Sequence, residues 1–250
     1  MSSSFVASTD TVVSLVETIR DLSPNGQPAL YIDLEGISLS RHGSVSIVTV
    51  YIHPKSHVYL VDVHTLGAAA FDTAASDGTT LRSILESPNT TKVFFDVRND
   101  SDALHAHFGI RLQGIEDVQL MENASRPAGQ RRFLNGLDRC IERDSAATLL
   151  QTRAWKAAKE KGLTIFHPSR GGSYEAFNAR PLDADLQTYC VNDVLFLPVL
   201  RGIYLPRLDR ARRAMVSEHA VKRVLESQSP YYEPQGDSKK FGPWEKPRGF

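Results

Sequence analysis

The sequence predicts an α/β fold: a sheet that opens with three antiparallel strands and is flanked by helices. Residues 29–35 alternate between apolar and acidic side chains, as a strand with one buried face does. Two β-rich runs, 45–52 and 58–63, follow with a short His-Pro-Lys-Ser connection, which favours antiparallel neighbours. Beyond residue 80, helical patterns alternate with short apolar runs.

Composition agrees with one globular domain and excludes several classes of protein. The 250 residues suffice for a full core, and 41% hydrophobic with 23% charged residues is ordinary for such a domain. Lys plus Arg equals Asp plus Glu at 29 each, so net charge does not indicate a polyanionic partner. Two cysteines, no apolar run of about 20 residues and no secretory signal predict an intracellular protein, nuclear or cytoplasmic, without membrane association.

Each element has its own signal. Residues 8–10 can cap a helix whose apolar positions recur from 12 to 19, Pro24-Asn25-Gly26 predicts a turn, and Gly109 ends a helix over 99–108. Pro198 should kink the long helical pattern of 182–208. The remaining predictions are loops at 38–43 and 67–79, helices at 81–86, 135–143, 152–161 and 211–226, strands at 92–95 and 115–118, and a long aromatic-bearing loop at 162–178.

These elements divide the chain into three parts. Residues 1–9 are predicted to be an N-terminal extension, and residues 10–226 to be the folded domain. Residues 227–250 contain four Pro and three Gly, which is typical of a flexible tail.

Two acidic residues share one face of the first predicted strand. Because side chains alternate, Asp33 and Glu35 project together, about 7 Å apart along the strand, while Leu30, Ile32 and Leu34 form the apolar face. Their repulsion would be relieved by a shared cation. The alternative is that both carboxylates point into solvent at a strand end.

Two further carboxylates lie on apolar helix faces. Asp193 falls within a stripe that includes Leu186, Tyr189 and Leu197, where an ionised carboxylate is costly unless it is paired or bound to metal. An arginine partner or a capping role would satisfy it equally. Asp100 raises the same question on the helix over 99–108, and Asp96, at the end of the preceding strand, competes with it.

In this order, the motifs resemble those of the 3′–5′ exonucleases with four acidic ligands and a tyrosine, the DEDDy group of the DEDD superfamily, in its RNase D-like branch. The three motifs are Asp33-x-Glu35, Asp100 in Asn-Asp-Ser-Asp-Ala-Leu, and Tyr189-x-x-x-Asp193. Supporting matches are Lys92-Val-Phe-Phe-Asp-Val-Arg-Asn-Asp100, Phe108-Gly-Ile110, Leu134-Asn-Gly-Leu137 and Arg180-Pro-Leu182. One departure is Ser101, where the family usually has a branched apolar residue.

The resemblance implies an RNase H-like fold and a two-metal site. Asp33, Glu35 and Asp193 would hold one divalent cation, Mg²⁺ or Mn²⁺, and Asp100 with Asp33 the second. Tyr189 would orient the attacking water. The implied activity is hydrolysis of single-stranded RNA or DNA from the 3′ end, more readily RNA, with release of nucleoside 5′-monophosphates.

Four further residues are predicted to contact the nucleic acid. Phe166, His167 and Tyr174 of the 162–178 loop can stack on bases, and Arg180 can contact phosphate. Ordinary loop packing is the alternative. Two other functions stay open: a non-catalytic RNA-binding scaffold with this fold, and a DNA repair exonuclease.

Overall fold

The computed structural model describes residues 2–22, 28–145 and 147–245. The turn predicted at Pro24-Asn25-Gly26 lies outside these residues. The strands in the described part are β1 (Ser2–Val6), β2 (Leu30–Glu35), β3 (Ile47–Ile52), β4 (His57–Asp62), β5 (Lys92–Phe94) and β6 (Ile115–Asp117).

One mixed sheet joins the strands in the order β1-β4-β3-β2-β5-β6. Strands β2, β3 and β4 are antiparallel neighbours, and β5 and β6 continue the sheet in parallel. The three-stranded antiparallel opening is therefore confirmed. β2 is central, and its residues Leu30, Ile32 and Leu34 are at most 2% exposed, so the predicted apolar face is buried.

Helices surround the sheet. The helices in the described part are α1 (Thr9–Arg20), α2 (Val63–Leu66), α3 (Ala69–Asp72), α4 (Leu81–Glu86), α5 (Arg98–Phe108), α6 (Val118–Ser125), α7 (Leu137–Asp144), α8 (Leu149–Phe166), α9 (Ala184–Leu195), α10 (Leu197–Tyr204) and α11 (Arg210–Ser227). Ser8 caps α1, Gly109 ends α5 in the left-handed conformation, and Pro198 lies in the first turn of α10, directly after α9 ends. Across the described ranges, no helix combines the length and apolarity that a bilayer span requires.

The N-terminal residues differ from the prediction. Residues 2–6, which lie in the predicted N-terminal extension, form a strand that pairs in parallel with β4, from Ser2 opposite His57 to Val6 opposite Val61. Sequence periodicity missed this strand because three serines give it no alternation of apolar and polar side chains. Backbone pairing with an existing strand edge supplies the order instead.

The C-terminal residues also differ from the prediction. Residues 228–245, here called the arm, lie on the domain rather than extending from it. Phe241 pairs with Phe133 in a β-bridge, and the Glu245 carboxylate accepts hydrogen bonds from the backbone N–H groups of Gly129 and Arg131. The Trp244 ring packs edge-on against His219. These few anchoring side chains outweigh a composition rich in Pro and Gly.

The predicted loop at 162–178 is partly helical. Helix α8 continues through Gly162 to Phe166, and two 3₁₀ turns follow, Pro168–Arg170 and Tyr174–Asn178. Glycine normally weakens a helix, which is why the sequence pattern ends near 161. Here the missing side chain has a reason: a Cβ at Gly162 would lie 2.7–2.9 Å from atoms of Tyr189.

Candidate active site

Three carboxylates meet where β2 packs against α9. Asp33 and Glu35 leave the same face of β2, and Asp193 projects toward them from α9, which contacts β2 and β3. One oxygen from each residue lies within 4.8 Å of the others. The predicted shared face of Asp33 and Glu35 thus becomes one wall of a compact acidic cluster.

Asp193 lies in the buried stripe of α9 that the sequence predicts. It is only 8% exposed, and its Oδ1 atom is buried without a hydrogen-bond partner. Within the described residues its ion-pair contact is with a lysine, Lys159, whose Nζ is 3.9 Å from Oδ1. Neither alternative for Asp193, an arginine partner or a cap, matches this environment.

The cluster is electrostatically strained without a cation. Burial raises the pKa of Asp33 well above its usual range, and the charges of Asp100 and Asp193 raise it further. Burial and the neighbouring carboxylates, Asp33 first, do the same to the pKa of Glu35. The pKa of Asp193 is also raised by burial, although Lys159 opposes the shift. Each ionised group would gain from a bound positive charge.

Asp100 stands beside this cluster in the first turn of α5. It is 6% exposed, and burial together with the charge of Asp96 raises its pKa to about 7. Asp100 lies outside the group of three whose oxygens are within 4.8 Å, but its charge acts on Asp33 and Glu35. It therefore forms the adjoining wall of the same site.

Asp96 and Asp102, the other acids near α5, are held by arginines. Asp96 accepts hydrogen bonds from Nε and Nη2 of Arg98 at 2.5 and 2.6 Å. Burial raises the pKa of Asp96, but the charges of Arg223 and Arg98 outweigh it and bring the value to about 2. Asp102 accepts from the backbone N–H and the Nε of Arg41 at 2.8 and 2.7 Å. Neither has an oxygen free for a ligand in the way Asp193 does.

Tyr189 lies one turn before Asp193 and faces the same cluster. Its ring packs against Gly162 and against Phe166, with ring centroids 5.0 Å apart. Burial, and then the charges of Asp193, Glu35 and Asp33, raise the pKa of the phenol well above its usual value. Tyr189 is therefore a neutral O–H donor beside the carboxylates.

The aromatic residues predicted to stack on bases lie against one another: the Tyr174 ring centroid is 6.0 Å from that of Phe166 and 6.0 Å from that of His167. Phe166 is 6% exposed and packs on Phe177 and Tyr189, so it supports the tyrosine from behind. His167 accepts a hydrogen bond from the backbone N–H of Ser169 and, like Tyr174, is half-buried. The alternative of ordinary packing describes Phe166 best.

Arg180 is occupied by other partners. Its Nε donates to Asp62 Oδ2 at 2.8 Å, a second nitrogen contacts Asp62 Oδ1, and Nη1 donates to the carbonyl oxygens of Phe177 and Ala179. This pairing fastens the segment before α9 to the end of β4. These bonds use four of the five N–H groups of the guanidinium, so one Nη2 hydrogen is left for the predicted phosphate contact.

Lys159 is a site residue that sequence reasoning missed. Its Nζ lies 2.5 Å from Asp138 Oδ1 and 3.9 Å from Asp193 Oδ1, and it sits over the rings of Trp155 and Tyr189. Helical spacing places Lys159 one turn after Trp155, but nothing local shows that α8 packs on α9 at this point. Only the tertiary structure identifies it as the cation next to the carboxylates.

Comparisons with known proteins identify the family of this chain. The family model described as 3′-5′ exonuclease matches residues 5–208. The piRNA biogenesis protein EXD1 is 34% identical in mouse and 33% in human over 96 residues, which is 38% of this chain. Those residues are 15% of the mouse protein and 17% of the human one, so the match covers a small part of these relatives.

Solved structures show the same fold at low identity. Trypanosoma brucei RNase D in complex with RNA U12 has a TM-score of 0.68 and 19% identity, covering 91% of this chain and 70% of that one. Escherichia coli RNase D has a TM-score of 0.61 and 19% identity, and the match covers 92% of this chain and 51% of that one. Brucella melitensis NrnC with bound Mg²⁺ has a TM-score of 0.60 and 19% identity, and the match covers 91% of this chain and 92% of that one. With a family model matching most of its length and the acidic cluster in place, this chain belongs to the 3′–5′ exonuclease domain family.

Proposed function

We propose that this protein hydrolyses single-stranded nucleic acid, RNA in preference to DNA, from the 3′ end with the help of two divalent cations, Mg²⁺ or Mn²⁺. The observation that carries the proposal is the cluster of Asp33, Glu35 and Asp193, whose buried Asp193 Oδ1 has no hydrogen-bond partner. The product is a nucleoside 5′-monophosphate.

The residues fit divalent cations. Carboxylate oxygens are the ligands that Mg²⁺ and Mn²⁺ prefer, and the charge of Lys159 does not offset the burial and mutual repulsion that raise the pKa values of Asp33 and Glu35. Asp33, Glu35 and Asp193 would hold one ion, and Asp100 with Asp33 the other. When bound, such ions supply electrostatic stabilisation for the charge that develops on phosphodiester oxygens.

The chain's own residues position the reacting groups. Tyr189, neutral and adjacent to Asp193, can donate a hydrogen bond that orients the attacking water. Water oxygen bonds to phosphorus as the bond to the leaving 3′ oxygen breaks, and the proton balance is completed by protonation of that oxygen. The shortened strand keeps a 3′ hydroxyl, and the released nucleotide keeps the phosphate on its 5′ oxygen.

Similarity favours RNA as the substrate. A structural relative carries RNA in its complex, and the related EXD1 proteins are named for piRNA biogenesis. A DNA repair exonuclease is the second candidate for the substrate class. The presence of all five motif residues argues against a non-catalytic scaffold.

The free thiols of Cys140 and Cys190 support the predicted intracellular location, nuclear or cytoplasmic.

The test is a degradation assay with paired substrates. Single-stranded RNA and DNA of one sequence, labelled at the 5′ end, are incubated with the protein in Mg²⁺, Mn²⁺ or EDTA. We expect a ladder shortening from the 3′ end in either metal, faster for RNA, and nucleoside 5′-monophosphates on chromatography. Asp33→Asn is the control for contaminating nucleases. Equal degradation in EDTA, or by this variant, would contradict the proposal.

A further inference from the structure

A groove runs between α11 and the arm, next to the acidic site. Its volume is about 560 Å³. Residues of α5, α11 and the arm line it together, among them Arg98, Lys222, Arg223, Tyr231, Tyr232 and Lys239. Basic and aromatic side chains on one concave surface are the combination that single-stranded nucleic acid binds.

One wall of this arm groove is continuous with the active site. Asn99 Oδ1 accepts hydrogen bonds from Lys239 Nζ at 2.5 Å and from the Tyr232 hydroxyl at 2.7 Å. Arg98 Nη2 donates to the backbone oxygen of Lys239 at 3.0 Å. Asn99 directly precedes Asp100 in α5, and the charge of Lys239 acts on Asp100, so this residue of the groove lies near the acidic wall.

The charges of the groove are unevenly compensated. Arg98 is paired with Asp96 and Arg223 with Asp117, while Lys222 lies 3.6 Å from Glu226. Lys239 is different. In the described ranges its ammonium group has no carboxylate within 4.0 Å, and its hydrogen bonds go to the neutral oxygens of Asn99 and Pro234. Its positive charge is therefore available to an anion entering from the groove.

The rim of the groove carries an open aromatic surface. Tyr231 is 91% exposed, the highest value among the large hydrophobic side chains that are exposed in the described residues. Its neighbour Tyr232 is half-buried, with Arg41 and Lys239 near its ring. An exposed ring on the rim of a groove lined by cations suits a base rather than an acidic peptide, which offers charge without flat faces.

We propose that the arm groove binds the nucleotides that precede the 3′ end of the substrate strand, with Tyr231 stacking on a base and Lys239 contacting a phosphate. This inference rests on the proposed function. If the 3′-terminal nucleotide occupies the carboxylate cluster, the nucleotides before it must leave through an adjoining surface, and the arm groove adjoins Asp100. Phosphate contacts position the strand without reading its sequence.

The experiment compares substrates of two lengths. Tyr231→Ala removes an exposed ring, and Tyr231→Phe retains the stacking face. Binding of a fluorescent 12-nucleotide RNA is measured by anisotropy in EDTA, and hydrolysis of that RNA and of a dinucleotide is measured in Mn²⁺. We expect Tyr231→Ala to weaken 12-mer binding by at least about fivefold, the loss expected for one stacked base, and to raise the KM for the 12-mer more than the KM for the dinucleotide, which offers the groove a single nucleotide. Tyr231→Phe should match the unmodified protein.

Two outcomes would overturn the assignment. The first is 12-mer binding that is equal in Tyr231→Ala and the unmodified protein. The second is displacement of the RNA by a polyglutamate peptide as effectively as by unlabelled RNA, which would show that charge alone governs binding. Failure of the proposed function has a separate signature, since absence of hydrolysis of both substrates in Mn²⁺ leaves the anisotropy comparison readable.

Discussion

Substitution of Asp100 by asparagine should stabilise the metal-free protein while abolishing its activity. The folded-state pKa of about 7 lies above the ordinary 3.8, so ionisation of Asp100 opposes folding. The penalty is absent below about pH 4, grows between pH 4 and 7, and is constant above 7. The difference between these two pKa values corresponds to a penalty of about 4 kcal/mol in the free energy of folding at pH 8. Water and the charge of Lys239 reorganise around the ionised carboxylate and screen part of this penalty, so about 2 kcal/mol is the expected gain.

The assay is thermal unfolding in EDTA at several pH values. For a protein of this size, about 2 kcal/mol corresponds to a Tm increase of roughly 4 to 8 °C at pH 8. The increase should shrink as the pH falls toward 4, because the unmodified carboxyl is then protonated in the folded state. Added Mn²⁺ should raise the Tm of the unmodified protein more than that of Asp100→Asn.

Asp102→Asn is the matched control on the same helix turn. Asp102 is also buried, but Arg41 binds it. Its neutralisation breaks this salt bridge and should lower the free energy of unfolding by about 3 kcal/mol, and the Tm with it. Its effect on hydrolysis should be far smaller than that of Asp100→Asn. A lower Tm for Asp100→Asn in EDTA at pH 8, or an increase that does not depend on pH, would refute the reasoning.

Three other substitutions test the remaining roles. Asp33→Asn should abolish hydrolysis and weaken Mn²⁺ binding in calorimetry while the circular dichroism spectrum persists; unchanged turnover in Mn²⁺ would exclude the two-metal site. Tyr189→Phe should lower kcat by about 100-fold with Mn²⁺ affinity unchanged, and full activity would remove the phenol from the mechanism. Lys159→Met should lower the Tm in EDTA at pH 8, because it removes the cation beside Asp193, whereas Lys161→Met, at an exposed pair with Asp185, should not.

The carboxylates of the candidate site could be found from sequence because local periodicity places them. Alternation along β2 puts Asp33 and Glu35 on one face, and the three-and-four spacing of α9 puts Asp193 in a buried stripe. Each pattern is set within a single strand or helix, so it can be read without knowing which other element packs against it. The resemblance then supplied the register that chose Asp100 over Asp96, and the pairing of Asp96 with Arg98 supports this choice.

The parts that sequence reasoning missed depend on partners distant in the chain. Arg180 was predicted to meet phosphate, yet it is paired with Asp62, 118 residues away. Lys159 reaches Asp193 only because α8 packs along α9. Residues 2–6 become a strand through pairing with β4, and the arm is held by contacts to residues 129–134. No local window contains both members of any of these pairs.

The aromatic residues of 162–178 show that composition can find a region without assigning a role to each residue in it. Their number predicted a surface for bases, but composition does not say which way a ring faces. Phe166 packs behind Tyr189, and Gly162 leaves room for the tyrosine ring on its other side. Glycine in a helix costs about 1 kcal/mol relative to alanine, yet an alanine Cβ here would lie 2.7 Å from a ring atom of Tyr189. Glycine therefore lowers the stability of α8 at this position, but it leaves the space in which the Tyr189 ring packs against α8 beside the carboxylates.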